Sequence, residues 1–275
     1  MVVLPCRAGS IFSAWCSTRL ADSRDFAVTF DLWQTLIFEL DGNSNSMERR
    51  IARTNYVTRE LARLGEVIEP EVVKESFRVL SDEITAGHDH GHDAQFEEWI
   101  SILIDRLVPG LEKRVGSDEI LNMAQLIDQT FIEAPPLLLD GTKDVFRELV
   151  GRGVKIGLIS NTGLTSPQMY CKWFDQLGVH DDFSFLAFSN EQAVAKPDAK
   201  IFEVTLNGLG VAAERALHVG DNLHTDVGGA AAVGMSTVWV RGGTNSPVES
   251  TVEPGFKIDS ILEMPVVVDE WLGSF

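Results

Sequence analysis

Basic residues are scarce in this chain. Over 275 residues, 23 Lys and Arg face 41 Asp and Glu, a formal net charge of -18. A surface of that sign repels nucleic acid and anionic membranes, so neither is an expected partner. A phosphate substrate would have to be held against the field by a divalent metal and a few local cations rather than by a broad basic groove. Long apolar runs are also missing, and no stretch approaches the roughly 18 to 20 residues of a membrane span. Cysteine is sparse: Cys6, Cys16 and Cys171 form no CxxC and no zinc-like spacing. They read as ordinary thiols of a reducing compartment, and a cytoplasmic location is expected. No acid precedes Asp22, and residues 1–25 carry Arg7, Arg19, Arg24 and a short, broken apolar patch. That segment is too short and broken to read as a secretory signal; it could be a weak transit-like segment, and the favoured reading is a disordered tail, or an upstream start, that the fold does not need.

What is present begins with Phe26-Ala27-Val28-Thr29-Phe30-Asp31, an apolar, β-rich run ending on a carboxylate. It suits the central strand of a parallel sheet covered on both faces. In open α/β sheets the carboxyl ends of the strands face the ligand crevice, so Asp31 is a candidate nucleophile or metal ligand. A polar stretch through Asp41-Gly42-Asn43 follows, and then four segments with helical apolar spacing: 47–64, 71–86, 94–108 and 118–131. Such helices can pack as a small bundle. Pro135-Pro136 closes the region.

From Asp140 onward helices at 142–152, 166–177, 198–209 and 225–233 alternate with short apolar strands at 154–160, 183–188, 216–220 and 236–240. Alternation of this kind predicts a doubly wound, Rossmann-like parallel α/β sheet. The first strand cannot fold alone. The expected organisation is therefore one α/β core, residues 26–40 and 137–275, with an all-helical cap domain inserted as residues 41–136.

The strand ends carry the chemistry. The first supplies Asp31 and Thr35. The second ends in Ser160-Asn161-Thr162-Gly163, a turn of hydroxyl, amide and backbone donors suited to an oxyanion. Lys196-Pro197-Asp198 places a lysine just before a helix. Gly220-Asp221-Asn222 ends a later strand, and Asp226 follows. Asp31, Asp221 and Asp226 together suit Mg2+, a hard cation that takes carboxylate oxygens and keeps several waters.

In these four elements the chain resembles the haloacid dehalogenase (HAD) superfamily with a helical C1-type cap, over about residues 26–241. The family's Asp-x-Asp-x-Thr is matched by Asp31-Leu32-Trp33-Gln34-Thr35 except at its third position. Ser160 after a hydrophobic strand, Lys196-Pro197, and Gly220-Asp221 with Asp226 match the other three motifs. The resemblance implies that Asp31 attacks the substrate and forms a covalent aspartyl intermediate. Ser160 and Lys196 would bind the transferring group, with Thr35 and Asn161 as further substrate-binding candidates. Magnesium would be held by Asp31, the Trp33 backbone carbonyl and Asp221, with Asp226 acting through water or through Lys196.

The departure is Trp33. Family phosphatases usually carry there a second Asp that protonates the leaving group, and an indole cannot do so at neutral pH. General acid-base help is typically worth about 10²- to 10⁴-fold. Family dehalogenases also lack that Asp and carry an aromatic residue, but they use neutral residues at the fourth motif, where this chain keeps Asp221 and Asp226. The leading expectation is thus a Mg-dependent hydrolase acting on a small phosphorylated molecule. The alternatives are a 2-haloacid dehalogenase-like hydrolase and a non-catalytic phospholigand-binding protein. The run His88-Asp89-His90-Gly91-His92-Asp93 could supply a proton donor over Asp31, with His90 the speculative candidate, could bind a transition metal, or could be a solvated loop. A monomer or homodimer is expected.

Overall fold

The computed structural model describes residues 25–39, 44–243 and 251–275. The tail expected over residues 1–25 and the turn at 41–43 lie almost wholly outside them. Six strands form one parallel sheet: β1 (Ala27–Phe30), β2 (Lys155–Ser160), β3 (Phe183–Phe188), β4 (Ala216–Gly220), β5 (Ser236–Val240) and β6 (Phe256–Ile258). Their order is β3-β2-β1-β4-β5-β6. The chain winds outward from β1 through β2 to β3, then returns to β4 on the other side. Ligand crevices in open sheets form at such a reversal, outside the strand ends.

β1 is buried along its whole length because both faces are covered. Val28 and Phe30 pack on one side among residues of α6 (Thr142–Gly151), α7 (Pro167–Leu177) and α11 (Met264–Leu272). Ala27 packs on the other among residues of α9 (Ala199–Leu209) and α10 (Gly229–Ala232). The helix ends follow local chemistry. The Ser166 hydroxyl accepts from the Met169 amide with Pro167 in the first turn of α7, and Gly178 ends that helix in the left-handed region. The Asp198 side chain caps α9 by accepting from the Lys200 amide.

Between β1 and α6 the chain forms α1 (Ser44–Arg63), α2 (Pro70–His88), α3 (Phe96–Leu107), α4 (Leu111–Val115) and α5 (Ser117–Glu133). They bury an apolar cluster of their own, with Leu61, Leu80, Ile100, Leu103 and Ile127 fully covered. Four of these helices were expected. The short α4, the edge strand β6, the four-residue α8 (Ser189–Gln192) and α11 were not. The helix expected from Thr225 begins instead as a π-helical turn, Leu223–Gly228, before α10. Cys171, read from the sequence as an ordinary thiol, is disulfide-bonded, a pairing that its spacing in the sequence does not show. Among the described residues no helix is long and apolar enough to cross a membrane.

Candidate active site

Asp31 sits immediately beyond β1 and is only 6% exposed. Its amide donates to the Val219 carbonyl at 2.8 Å, which fixes it against the end of β4. The Lys196 ammonium lies between two carboxylates, 2.6 Å from Asp31 Oδ1 and 2.6 Å from Asp226 Oδ1. Lys196 is held in turn by Asn161: its amide donates to Asn161 Oδ1 at 2.8 Å, and Asn161 Nδ2 donates to its carbonyl at 2.9 Å. The residue after β2 thus sets the lysine before α9.

Asp226 uses both oxygens. Oδ1 meets Lys196 and, at 3.3 Å, His218 Nε2, while Oδ2 accepts from the Asn222 amide at 2.9 Å. The other nitrogen of His218 is 2.8 Å from Thr29 Oγ1, so a histidine of β4 bridges β1 to the acid. This close approach requires Gly220, where a Cβ would fall 2.3 Å from the Asp226 carboxyl carbon. Asp221 completes the group. Asp31, Asp221 and Asp226 each present an oxygen within 4.8 Å of the others, and all three are buried.

These acids do not titrate alike. Burial pushes Asp31 up to about 7; Lys196 opposes that shift, while Asp226 and Asp221 add to it. Burial also pushes Asp226 up, but the charge of Lys196 and the His218 hydrogen bond more than offset it, and the net shift is down. Lys196 is raised despite burial because both acids favour its charged form. His218 is lowered by burial, only partly opposed by Asp226. Asp226 and Lys196 therefore form the settled ion pair. Three buried acids with oxygens this close form an all-oxygen donor set, which suits a hard cation.

The other expected residues are placed as follows. Ser160 is fully buried, its hydroxyl 3.4 Å from the Asn161 carbonyl. Thr35 is also fully buried, with no hydrogen-bond partner for its Oγ1. Gln34 adopts φ 62 in the turn between Trp33 and Ile37. The Trp33 indole donates to Tyr170 Oη at 3.2 Å, and Tyr170 stacks on Phe188. Trp33 lines two cavities, of about 250 and 320 Å³.

The histidine run lies against the core. The Ala195 amide donates to the Gly91 carbonyl at 3.0 Å, and His224 Nε2 is 3.2 Å from the Asp89 carbonyl. Asp93 anchors the loop by accepting from Trp99 Nε1 at 2.7 Å and from Ser189 Oγ at 2.5 Å, with His88 Nε2 at 3.0 Å. His90 is exposed, with its ring on the Ala86 carbonyl. His88 lines the larger cavity with Asn161, Thr162 and Trp33. The three histidines form no three-ligand metal cluster among the described residues.

His218, Asp93 and the arginines of α1 were not singled out from the sequence. The arginine spacing 49, 50, 53 was visible there, but not the direction those side chains take.

The family model of haloacid dehalogenase-like hydrolases matches residues 27–234. A glyceraldehyde 3-phosphate phosphatase of Methanopyrus kandleri is 37% identical over 121 residues, 43% of this chain and 51% of that protein. A phosphoserine phosphatase of Thermus thermophilus is 33% identical over 113 residues, 41% of this chain and 44% of that protein. The chain thus spans about half the length of these curated relatives. A 2-haloacid dehalogenase structure from Pseudomonas syringae superposes with a TM-score of 0.64 at 22% identity, covering 90% of this chain and 99% of that one, a likeness of fold. Because the family model covers residues 27–234, well over half of the sequence, the chain belongs to the haloacid dehalogenase-like hydrolase family.

Proposed function

We propose that this hydrolase is a magnesium-dependent phosphatase of small molecules that works through an aspartyl-phosphate on Asp31. The observation that supports it best is the buried triad of Asp31, Asp221 and Asp226, with Lys196 paired to Asp31 and to Asp226. A haloacid carboxylate would meet repulsion there, whereas a phosphate accompanied by a divalent cation is neutralised. The donor set is all oxygen and suits magnesium. Asp31, Asp221 and the Trp33 main chain would hold the ion. Asp226, with both oxygens already engaged, would support it through water. When bound, magnesium supplies charge neutralisation for the phosphoryl oxygens.

The remaining steps belong to the chain's own residues. Lys196 holds Oδ1 of Asp31, and Oδ2 accepts no hydrogen bond among the described residues, so Oδ2 is the attacking oxygen. A bond forms from Oδ2 to phosphorus as the bond from phosphorus to the leaving oxygen breaks, and the electron pair departs with that oxygen. Water then attacks phosphorus and releases Asp31 and inorganic phosphate. Lys196, with Ser160 and Asn161 beside it, binds the transferring group. Trp33 offers no proton, so substrates with stable leaving anions, aryl and acyl phosphates, are turned over in preference to alkyl phosphates. The test is turnover of p-nitrophenyl phosphate with and without magnesium, in wild type and Asp31→Asn. Metal-independent turnover, full activity of the variant, or halide release from 2-haloacids in place of phosphate release would overturn the reading.

A further inference from the structure

The smaller cavity lined by Trp33 is rich in arginine. Arg49, Arg50 and Arg53 of α1 all line that cavity, and Arg53 also lines the larger one with Asn161 and Trp33. In a chain of net charge -18 such a concentration of cations stands out against the surface field. Arg49 is answered by Glu39, with which it pairs directly. Arg53 is not answered. Its Nε donates to Thr130 Oγ1 at 3.1 Å, and its Nη2 donates to the Leu164 carbonyl at 2.7 Å and to Thr165 Oγ1 at 3.1 Å. All three acceptors are neutral, and no carboxylate lies within ion-pair distance of Arg53 among the described residues.

The carboxylate whose charge acts on Arg53 is Asp128, which is committed to the Ser166 amide and hydroxyl at 2.8 and 2.5 Å. Burial, with the like charge of Arg49, pushes Arg53 down to about 10, so it stays charged at neutral pH. Arg50 is exposed at the cavity and forms no ion pair among the described residues. A charged guanidinium held in place by neutral groups and left without a counter-ion is costly unless a ligand supplies one. Its planar fork suits a carboxylate or a phosphoryl group.

We propose that Arg53, with Arg50, binds a second anionic group of the substrate, which makes the substrate a phosphorylated small molecule whose other end carries a carboxylate or a second phosphate. The inference rests on the phosphoryl chemistry proposed at Asp31 for one end of that molecule. Arg53 lines one cavity together with Trp33, two residues from Asp31, and with Asn161, which holds Lys196. Cavities of about 250 and 320 Å³ have room for a compact molecule of this kind.

The test is calorimetric binding, in the presence of magnesium, of three non-hydrolysable probes: 3-phosphonopropionate, 1,3-propanediphosphonate and propylphosphonate. Wild type is expected to bind one or both of the doubly anionic probes at least about tenfold more tightly than propylphosphonate, and Arg53→Met to remove that difference. The tighter of the two identifies the second group as carboxylate or phosphoryl. Equal affinities in wild type, no binding of any probe, or an equal weakening of all three in the variant overturns the inference. Because Arg53 ties α1 to Thr130 and Leu164, circular dichroism and a melting curve accompany the variant. If it is not folded, the exposed Arg50→Met decides, with a loss of about threefold in the discrimination expected and no loss overturning the proposal. Turnover of p-nitrophenyl phosphate is measured separately. Turnover without discrimination defeats only this inference, and discrimination without turnover defeats only the phosphatase reading.

Discussion

Replacing Lys196 by methionine tests the electrostatic design of the site most directly. The side chain is 2% exposed and touches two carboxylates at 2.6 Å, themselves 8% and 2% exposed. Methionine fills a similar volume and removes the charge, so the variant leaves two buried acids without their cation. Removing one partner of a buried pair typically costs about 3 to 5 kcal/mol.

The pH dependence gives the sharper check. Without the lysine, the folded-state pKa of Asp31, already at about 7 against an ordinary 3.8, rises further, and that of Asp226 rises with it. A raised acid favours the folded state below its unfolded pKa, and that advantage is lost as pH climbs through the folded pKa. The deficit of Lys196→Met relative to wild type is therefore largest at pH 8 and at least about 1 kcal/mol smaller at pH 5, one pKa unit being worth about 1.4 kcal/mol. Urea unfolding followed by tryptophan fluorescence, in chelator across that range, measures it. A deficit below about 1 kcal/mol at pH 8, or one that does not change with pH, would refute the buried-pair argument. Lys196→Arg serves as the charge-retaining control.

Three further outcomes are expected. Trp33→Asp introduces a proton donor and removes a cavity wall, so the ratio of alkyl to aryl phosphate turnover should rise by about 10²-fold while KM increases; steady-state kinetics with Trp33→Phe as control would show whether the ratio moves. Magnesium should raise the melting temperature of wild type, by the equivalent of about 1.4 kcal/mol at ten times its Kd, and Asp221→Asn should abolish the shift, as read by calorimetry. Gly220→Ala would place a Cβ 2.3 Å from the Asp226 carboxyl carbon. It should destabilise the protein by about 1 to 3 kcal/mol and lower turnover, and unchanged melting and kinetics would show that Asp226 can move aside.

Much of the core was legible because its signals are local. An apolar run ending in Asp31, a lysine ahead of a proline and a capped helix, and a Gly-Asp after a buried strand are each set by a few neighbouring residues. The helix bounds at α7 and α9 agree with expectation to within a residue or so for the same reason, since Ser166, Asp198, Gly178 and Gly210 are cap residues that act within one turn. Less was readable where a feature depends on docking. β6 is a three-residue edge strand whose register comes from β5. His218 looked like one more residue of a buried strand until β1 and Asp226 came to either side of it. His90 was the speculative proton donor of its loop, yet it is His88 that lines the cavity, because Asp93 draws the loop down onto Trp99 and Ser189.

The sequence by itself determined the alternation of elements, the acids and the lysine at the strand ends, and the tryptophan two residues beyond Asp31. These follow from periodicity, capping and residue chemistry, all short-range properties of the chain. The tertiary structure alone decided that Lys196 sits between Asp31 and Asp226, two acids shifted in opposite directions, and that Arg53 shares a cavity with Trp33 and has no ion-pair partner among the described residues. Those outcomes depend on groups far apart in sequence being desolvated together, where distances of a few ångströms set the energy of every charge.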